Sequence, residues 1–312
     1  MSLDHSVATS DAASVLASAN DRLPKGSIYR SVAARRQFLE AYDRIVARLN
    51  TPVRGLSVPT RYGRTHLAIG GKRNSAPILI LPGMSICAPM MLEFFDYLAA
   101  TRMLIAPDLV GQPGLSADRM FSPRDNAYGK WLIEVLDAIE LDRIDIIGPS
   151  FGGSIALDLA ALQPKRVGKL ALISTAGLTP SMPYLSAYAP LFVTWMGYRY
   201  LPYRPVLEPI ATPMCRKWEP QNLDYLDLII KTSNFWRHRP AGMFAAGQFK
   251  DTIEPVFIAF SRRDVLLPFE RTREHARKAL PIGREMVMEQ AHHMPGREDA
   301  APIEAELKRF FG

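Results

Sequence analysis

Ser150 lies in a pattern that exposes one hydroxyl for covalent chemistry. A strand-like run ends at Gly148, and a helix-like run follows Gly153. The backbone is strained where a side chain stands at the tip of a sharp strand-to-helix turn, and side chains two positions away would collide across that turn. Gly148 and Gly152 remove those side chains, and Gly153 lets the helix pack closely on the sheet. This G-x-S-x-G arrangement predicts a serine nucleophile at a helix N-terminus, where developing negative charge is stabilised.

A serine hydroxyl also needs a base to remove its proton, and the base needs a partner that orients it. For a serine in this setting the acid is expected next along the chain, just after a late strand, and the histidine last. Asp264 follows the strand-like run 256–260, whereas the preceding strand ends in Ser174 and Thr175 and supplies no acid. Asp264 is therefore the predicted partner, and the alternative is a turn aspartate that caps the next helix.

Two adjacent histidines, His292 and His293, follow the last strand-like run. Side chains of neighbouring residues point in different directions, so only one of the two can reach Ser150. The remaining histidines at 66, 238 and 275 have no such context.

Two backbone N–H groups must face the oxygen that becomes negative during acyl transfer. One belongs to Phe151, the residue after the serine. The other is expected in the loop after the third strand, 81–85, where Met84 is the predicted donor. The loop 108–116, which follows the fourth strand, is interpreted as a structural turn that borders the site.

The elements that must position these groups alternate between strand and helix. A helix is predicted from Ser31 to about residue 50, and two antiparallel strands are predicted around the turn at Tyr62-Gly63. The later strand candidates are 78–81, 103–106, 144–147, 170–174, 256–260 and 285–288. The later helix candidates are 90–99, 128–139, 150–162, 269–278 and 302–311. This alternation predicts a mostly parallel sheet with helices on both faces and a site at the carboxyl ends of the strands.

The alternation stops between residues 176 and 250. This segment is rich in proline and in aromatic rings, which recur at helical spacing in the run Tyr184, Tyr188, Phe192, Trp195. It is predicted to form a helical cap, inserted after the sixth strand, over Ser150. The predicted division is a mobile tail at 1–30, a core at 31–175 and 251–312 that includes the N-terminal helix 31–50, and the cap at 176–250.

Composition agrees with one large α/β domain. The chain has 312 residues, 48% of them hydrophobic, and a formal net charge of +7. The basic residues between 271 and 278 lie at helical spacing with Glu270 and Glu274, which predicts a solvated, salt-bridged helix face. Nucleic-acid binding is therefore not expected.

Two cysteines, Cys87 and Cys215, are too few for a disulfide framework, which favours the cytoplasm. The N-terminal 25 residues are polar and lack the pattern of a signal peptide. No run is long and apolar enough to span a bilayer, so no membrane association is expected.

From about residue 38 to 311 the chain resembles the α/β-hydrolase superfamily, most closely bacterial carboxylesterase-like members with a helical cap. The resemblance rests on the elbow at 148–153, the loop 107–116, and Asp264 and His293 in the family's order. Members usually carry His-Gly before the oxyanion residue, where this chain has Pro82-Gly83. They usually carry glycine before the catalytic histidine, where this chain has His292, and that alignment makes His293 the predicted base. A serine nucleophile separates the chain from haloalkane dehalogenase and epoxide hydrolase relatives, which use a carboxylate.

The resemblance implies a cytoplasmic hydrolase that cleaves an ester, thioester or lactone of a small molecule with an apolar portion. Its expected residues are Ser150 as nucleophile, His293 as base, Asp264 as the orienting acid, and the amides of Met84 and Phe151 for the oxyanion. No cofactor and no metal are implied. An acyltransferase, C–C hydrolase or lyase with the same triad is the alternative, and a non-enzymatic ligand-binding member of the fold is a further one. The sequence leaves the oligomeric state open.

Overall fold

The computed structural model describes residues 22–120, 122, 125–179, 185–234, 242–250 and 253–312, and for residues 185–192 it describes the backbone only. Several residues named in the sequence predictions are not among these. Residues 1–21 of the predicted tail, the rings of Tyr184, Tyr188 and Phe192, and the side chain of His238 lie outside the described residues.

Strands and helices alternate along most of the described chain. The strands are β1 (Arg54–Val58), β2 (Thr65–Gly71), β3 (Pro77–Ile80), β4 (Met103–Pro107), β5 (Ile144–Pro149), β6 (Val167–Ile173), β7 (Val256–Ser261) and β8 (Ile282–Met288). The helices are α1 (Val32–Ala47), α2 (Ala88–Phe94), α3 (Ala127–Ala138), α4 (Phe151–Leu162), α5 (Leu185–Tyr200), α6 (Leu207–Ala211), α7 (Pro220–Thr232), α8 (Phe269–Ala279) and α9 (Arg297–Phe311).

The strands form one eight-stranded sheet in the order β1-β2-β4-β3-β5-β6-β7-β8. Strands β1 and β2 pair antiparallel, β2 pairs antiparallel with β4, and all other neighbours pair parallel. The predicted mostly parallel sheet is therefore confirmed. Strand β6 begins at Val167, three residues before the predicted start, because its backbone already pairs with Ile144 of β5 there. Helix α9 also begins early, at Arg297, because the carboxylate of Asp299 accepts a hydrogen bond from the N–H of Gly296 at 3.1 Å.

Helices cover both faces of the sheet, and alternate residues of β3, together with Leu81 just after it, show how the two cores divide. Leu79 and Leu81 pack with α3, α4 and α8 on one face, whereas Ile78 and Ile80 pack with α2 and α9 on the other. All four side chains are fully buried. Each such side chain contributes about 1.5–3 kcal/mol of burial free energy, which fixes the register of the central strand.

Residues 27–29 are packed against the core, which corrects the prediction of a mobile tail that extends to residue 30. The hydroxyl of Ser27 and the N–H of Ile28 donate to the carboxylate of Asp118 at 2.6 and 2.7 Å. Ile28 and Tyr29 are buried. Burial raises the pKa of the Asp118 carboxyl above its ordinary value. The polar sequence of the tail did not predict this contact, because Asp118 lies about 90 residues further along the chain.

Helices α5, α6 and α7 lie between β6 and β7, within the segment predicted as a cap. They share a cluster of buried apolar side chains of their own, which includes Tyr198, Leu207, Trp218 and Ile230. Helix α7 also packs against α1. Of the helices described, none combines the length and the apolar composition that crossing a membrane requires.

The turn from β5 into α4 packs directly on the backbone that follows β3. A Cβ atom placed on Gly152 would overlap the carbonyl oxygen of Leu81, and one on Gly148 would lie 2.6 Å from the Cα of Gly153. Both distances are far inside van der Waals contact, and the opposing atoms belong to the backbone. The two glycines therefore permit the close approach that the sequence pattern predicted.

We expect Gly152→Ala to destabilise the protein by about 3 kcal/mol or more, because neither the elbow nor the backbone of Leu81 can move aside easily. Gly197→Ala in α5 is the matched control, since a Cβ there meets no described atom within 4 Å. That control removes a glycine from a helix interior and is expected to stabilise the protein by up to about 1 kcal/mol. Urea unfolding of both variants measures the difference. Equal unfolding midpoints would show that the elbow tolerates a side chain.

Candidate active site

Ser150 stands between β5 and α4 with its backbone held in an uncommon conformation. Its φ and ψ angles are 48° and −119°. A non-glycine residue with such angles costs about 1–3 kcal/mol, so surrounding contacts must impose them. The N–H of Ser150 donates to the carbonyl of Ile173 at 2.9 Å, and its own carbonyl accepts from the N–H of Ala176 at 3.0 Å. The end of β6 and the residues after it thus hold both backbone groups of the serine.

The side chains of Ser150, His293 and Asp264 form a continuous line of hydrogen bonds. The Oγ of Ser150 lies 2.8 Å from Nε2 of His293, and Nδ1 of His293 lies 2.8 Å from Oδ2 of Asp264. The side chains of His293 and Asp264 are buried, with exposed fractions of 6% and 2%. An ionised carboxylate only accepts hydrogen bonds, so Nδ1 carries the proton and the lone pair of Nε2 faces the serine hydroxyl.

Asp264 is fixed through both of its oxygens. While Oδ2 faces His293, Oδ1 accepts hydrogen bonds from the N–H groups of Leu266 and Leu267 at 2.8 and 2.9 Å. Asp264 therefore contacts the histidine and also holds the turn that follows it, but it does not cap the next helix, because the N-cap residue of α8 is Pro268. The backbone N–H groups lock the carboxylate plane, and that plane sets the direction of the imidazole.

The structure brings His293, and not His292, to Ser150. The Nδ1 atom of His292 instead lies 2.7 Å from the carbonyl oxygen of Thr212, which follows α6. His66 contacts Asp108 inside the core, and His275 contacts the carbonyl of Phe244.

The two predicted oxyanion donors lie in the loops beside the serine. Phe151 is the first residue of α4, and a Cβ placed on Gly83, next to Met84, would lie 3.8 Å from the Cβ of Ser150. Within the described residues, neither the N–H of Met84 nor that of Phe151 donates to a protein acceptor.

Sequence reasoning did not identify the residues that hold the Met84 loop. The side-chain oxygen of Gln112 accepts a hydrogen bond from the N–H of Ser85 at 2.8 Å, and the hydroxyl of Tyr225 donates to the carbonyl of Ser85 at 2.8 Å. Burial raises the pKa of Tyr225 well above its ordinary value, which keeps the hydroxyl protonated as a donor. Neither residue carries a local sequence signal, because each acts through a loop that is distant along the chain.

Asp108, in the loop interpreted as structural, is completely buried and accepts four hydrogen bonds. The donors are the hydroxyl of Tyr42, the N–H groups of Ala88 and Leu115, and the ring of His66, at distances between 2.8 and 3.1 Å. With its oxygens so engaged, this carboxylate ties α1, α2 and the 108–116 loop together.

A buried thiol, Cys87, lies near the same loop but does not compete with the serine. Burial raises the pKa of this thiol to about 12. Because the thiolate is the reactive form of cysteine, a thiol with so high a pKa remains inert near neutral pH.

Known proteins with solved structures share this fold. Naproxen esterase (carboxylesterase NP) from Bacillus subtilis superposes with a TM-score of 0.76 over 89% of this chain and 98% of its own, at 17% identity. A meta-cleavage product hydrolase variant superposes with a TM-score of 0.67 over 82% of this chain and 97% of its own, at 18% identity. At these identities the likeness shows the fold.

Sequence comparison gives the family. The 2-hydroxymuconate semialdehyde hydrolase of Pseudomonas sp. (strain CF600) is 34% identical over 156 residues, which are 46% of this chain and 52% of that protein. The alignments to the first curated relatives span between 47% and 64% of their lengths. The model of the alpha/beta hydrolase family matches residues 78–306, from β3 to α9. Since this match covers well over half of the chain and includes the elbow, the acid and the histidine, the protein belongs to the alpha/beta hydrolase family.

Proposed function

We propose that the protein is a serine hydrolase that cleaves a carboxylic ester, thioester or lactone through an acyl-Ser150 intermediate. The observation that carries this proposal is the unbroken line of hydrogen bonds from Ser150 through His293 to Asp264. A hydroxyl, a base and an orienting acid in that order are what acyl transfer requires.

In the first half of the proposed reaction, Nε2 of His293 accepts the proton of Ser150 while Oγ attacks the carbonyl carbon of the substrate. The carbonyl oxygen becomes negative and receives hydrogen bonds from the N–H groups of Met84 and Phe151. Removal of one such donor typically lowers the rate about 10²–10³-fold. His293 then gives its proton to the leaving alcohol or thiol as the bond to that group breaks.

In the second half, a water molecule gives a proton to Nε2 of His293 and attacks the acyl group. The bond between the acyl carbon and Ser150 breaks, and the proton returns to Oγ. Asp264 accepts the hydrogen bond of Nδ1 and stabilises the imidazolium that forms twice in each cycle. Its two backbone hydrogen bonds keep it in place while the charge on the ring changes.

C–C bond hydrolysis is the second candidate. It is favoured by the 34% identity to 2-hydroxymuconate semialdehyde hydrolase. Assays with 2-hydroxymuconate semialdehyde and with an activated ester, under the same conditions, distinguish the two reactions. Addition of a competing alcohol to the ester assay tests the acyltransferase alternative, because a transferase yields the new ester in place of the free acid.

The proposed substrate is a small molecule with an apolar portion. Phe151 lies in the same apolar cluster as Leu178 and Phe244, and Met84 packs against that cluster. Phe244 donates its N–H to the carbonyl of Gly177 at 2.9 Å. Gly177 directly follows Ala176, whose N–H donates to the carbonyl of Ser150. We propose that the cap segment 176–250 forms one wall of an acyl pocket through these residues.

We also propose a cytoplasmic location. Both cysteines, Cys87 and Cys215, are free and buried in the structure. Structural free thiols of this kind are typical of a reducing compartment.

Replacement of the nucleophile gives the main test. We expect Ser150→Ala to lower kcat on an activated ester by about 10⁶-fold and to abolish labelling by a fluorophosphonate, with the urea unfolding midpoint unchanged. His293→Ala is expected to lose activity on the same scale, whereas His292→Ala is expected to lose roughly tenfold or less. A wild-type protein that the fluorophosphonate does not label would refute the proposal. A dead His292→Ala enzyme would mean that the base is misassigned by one residue.

The acyl pocket gives a second test. We expect Phe244→Ala to raise the rate on long acyl chains relative to short ones, because loss of the ring enlarges the proposed acyl pocket beside Ser150. The matched control is Tyr203→Ala, since the ring of Tyr203 is 65% exposed on the cap. The measurement is the ratio of kcat/KM for an eight-carbon and a two-carbon ester of one alcohol. An identical ratio in the wild type and both variants would mean that this wall lies elsewhere.

A further inference from the structure

The residues on either side of His293 are both bonded to the cap. Nδ1 of His292 lies 2.7 Å from the carbonyl oxygen of Thr212. The N–H of Met294 donates to the carbonyl of Met214 at 2.8 Å. The two acceptors are two residues apart in the turn that follows α6, so this single turn of the cap holds the chain before and after the histidine.

The contact continues beyond these two hydrogen bonds. The side chain of Met294 packs against the apolar cluster of the cap. Arg216 forms an ion pair with Glu298 in the first turn of α9. A Cβ placed on Gly296 would lie 3.6 Å from the carbonyl oxygen of Lys217. We call residues 212–217 the cap bracket and residues 289–296 the histidine loop, because the two segments run side by side.

The core holds the histidine loop at an earlier point. The carbonyl of Ala291 accepts a hydrogen bond from the N–H of Arg263 at 3.0 Å, and the N–H of Ala291 donates to Met288 at 3.3 Å. These bonds fix the start of the loop. On either side of His293, the side chain of His292 and the backbone N–H of Met294 are bonded to the cap bracket.

We infer that the cap bracket positions the catalytic base and that His292 is the positioning residue through which it acts. A carbonyl oxygen only accepts hydrogen bonds, so Nδ1 of His292 is the donor. This bond holds the backbone of His293 where its Nε2 lies 2.8 Å from Ser150. The inference rests on the proposed function, and it gives the side chain of His292 a purpose at a position where relatives usually carry glycine. Since lifting the cap bracket would break both hydrogen bonds, this part of the cap is a fixed part of the site.

Three substitutions of His292 test whether its side chain acts as a hydrogen-bond donor or only fills space. In His292→Asn the amide nitrogen takes the place of Nδ1 and preserves the donor. In His292→Gln the amide nitrogen reaches the place of Nε2, and in His292→Ala there is no donor. The measurements are kcat and KM on one activated ester and the rate of inactivation by a fluorophosphonate, which reports activation of Ser150 without the substrate pocket.

We expect His292→Ala and His292→Gln to lower kcat and the inactivation rate in parallel, by about fivefold to tenfold, because one positioning hydrogen bond is lost. KM is expected to change less than about twofold, since the substrate wall is intact. His292→Asn is expected to remain within about twofold of the wild type in all three quantities. Thermal unfolding of His292→Asn and His292→Gln provides the folding control, because the two side chains are similar in polarity and volume.

The inference is overturned if His292→Asn is as slow as His292→Gln, if His292→Ala keeps the wild-type kcat, or if only KM changes. It is also overturned if His292→Gln unfolds at a lower temperature than His292→Asn, because the loss of kcat would then reflect lower stability of the fold. A wild-type protein that neither turns over the ester nor reacts with the fluorophosphonate refutes the proposed function itself, and this inference falls with it.

Discussion

The turn at Ser150 is the constraint on which the rest of the site depends. A serine with a φ of 48° is held away from its preferred conformations. Two hydrogen bonds from the β6 side and the close approach of Gly152 to the backbone of Leu81 offset that cost. The same approach brings the loop after β3 beside the serine. One tight turn therefore presents the hydroxyl to His293 and brings the loop of Met84, the proposed oxyanion donor, beside it.

The remaining groups reach the serine only because the sheet is parallel at its centre. Parallel strands end at one edge, so the loops after β3, β5, β7 and β8 meet there although they are distant along the chain. Each loop is then fixed by its own hydrogen bonds. Gln112 and Tyr225 hold the Met84 loop, two N–H groups hold Asp264, and the cap bracket holds the histidine loop. Such preorganisation matters because a displacement of about 1 Å between reacting groups can lower a rate about 10²-fold.

Sequence patterns predicted those features of the fold and the site that depend on short stretches of the chain. The elbow at Ser150, the strand alternation and the order of Asp264 and His293 follow from spacing and from the family resemblance, and the structure brings all three side chains within hydrogen-bond distance. Contacts between distant segments were not predictable in this way. The bond between Ser27 and Asp118 joins residues 91 positions apart, and the one between His292 and Thr212 joins residues 80 apart. Polar side chains in a tail or a loop give no sign of a buried partner, because the partner exists only after folding.

The two departures from the family pattern, Pro82 and His292, lie in the loops that carry Met84 and His293. Pro82 stands where relatives carry histidine, and its ring restricts φ to about −65° at the start of the Met84 loop. Pro82 lies beyond the last residue of β3, and the pairing of β3 with β4 ends at Leu79, so the missing donor of the proline breaks no bond of the sheet. His292 replaces a small residue and bonds to the cap. Each change therefore restricts the conformation of one loop beside Ser150. With the proposed base and its acid both buried, geometry set by the protein takes the place of solvent dipoles that would otherwise have to reorganise during the reaction.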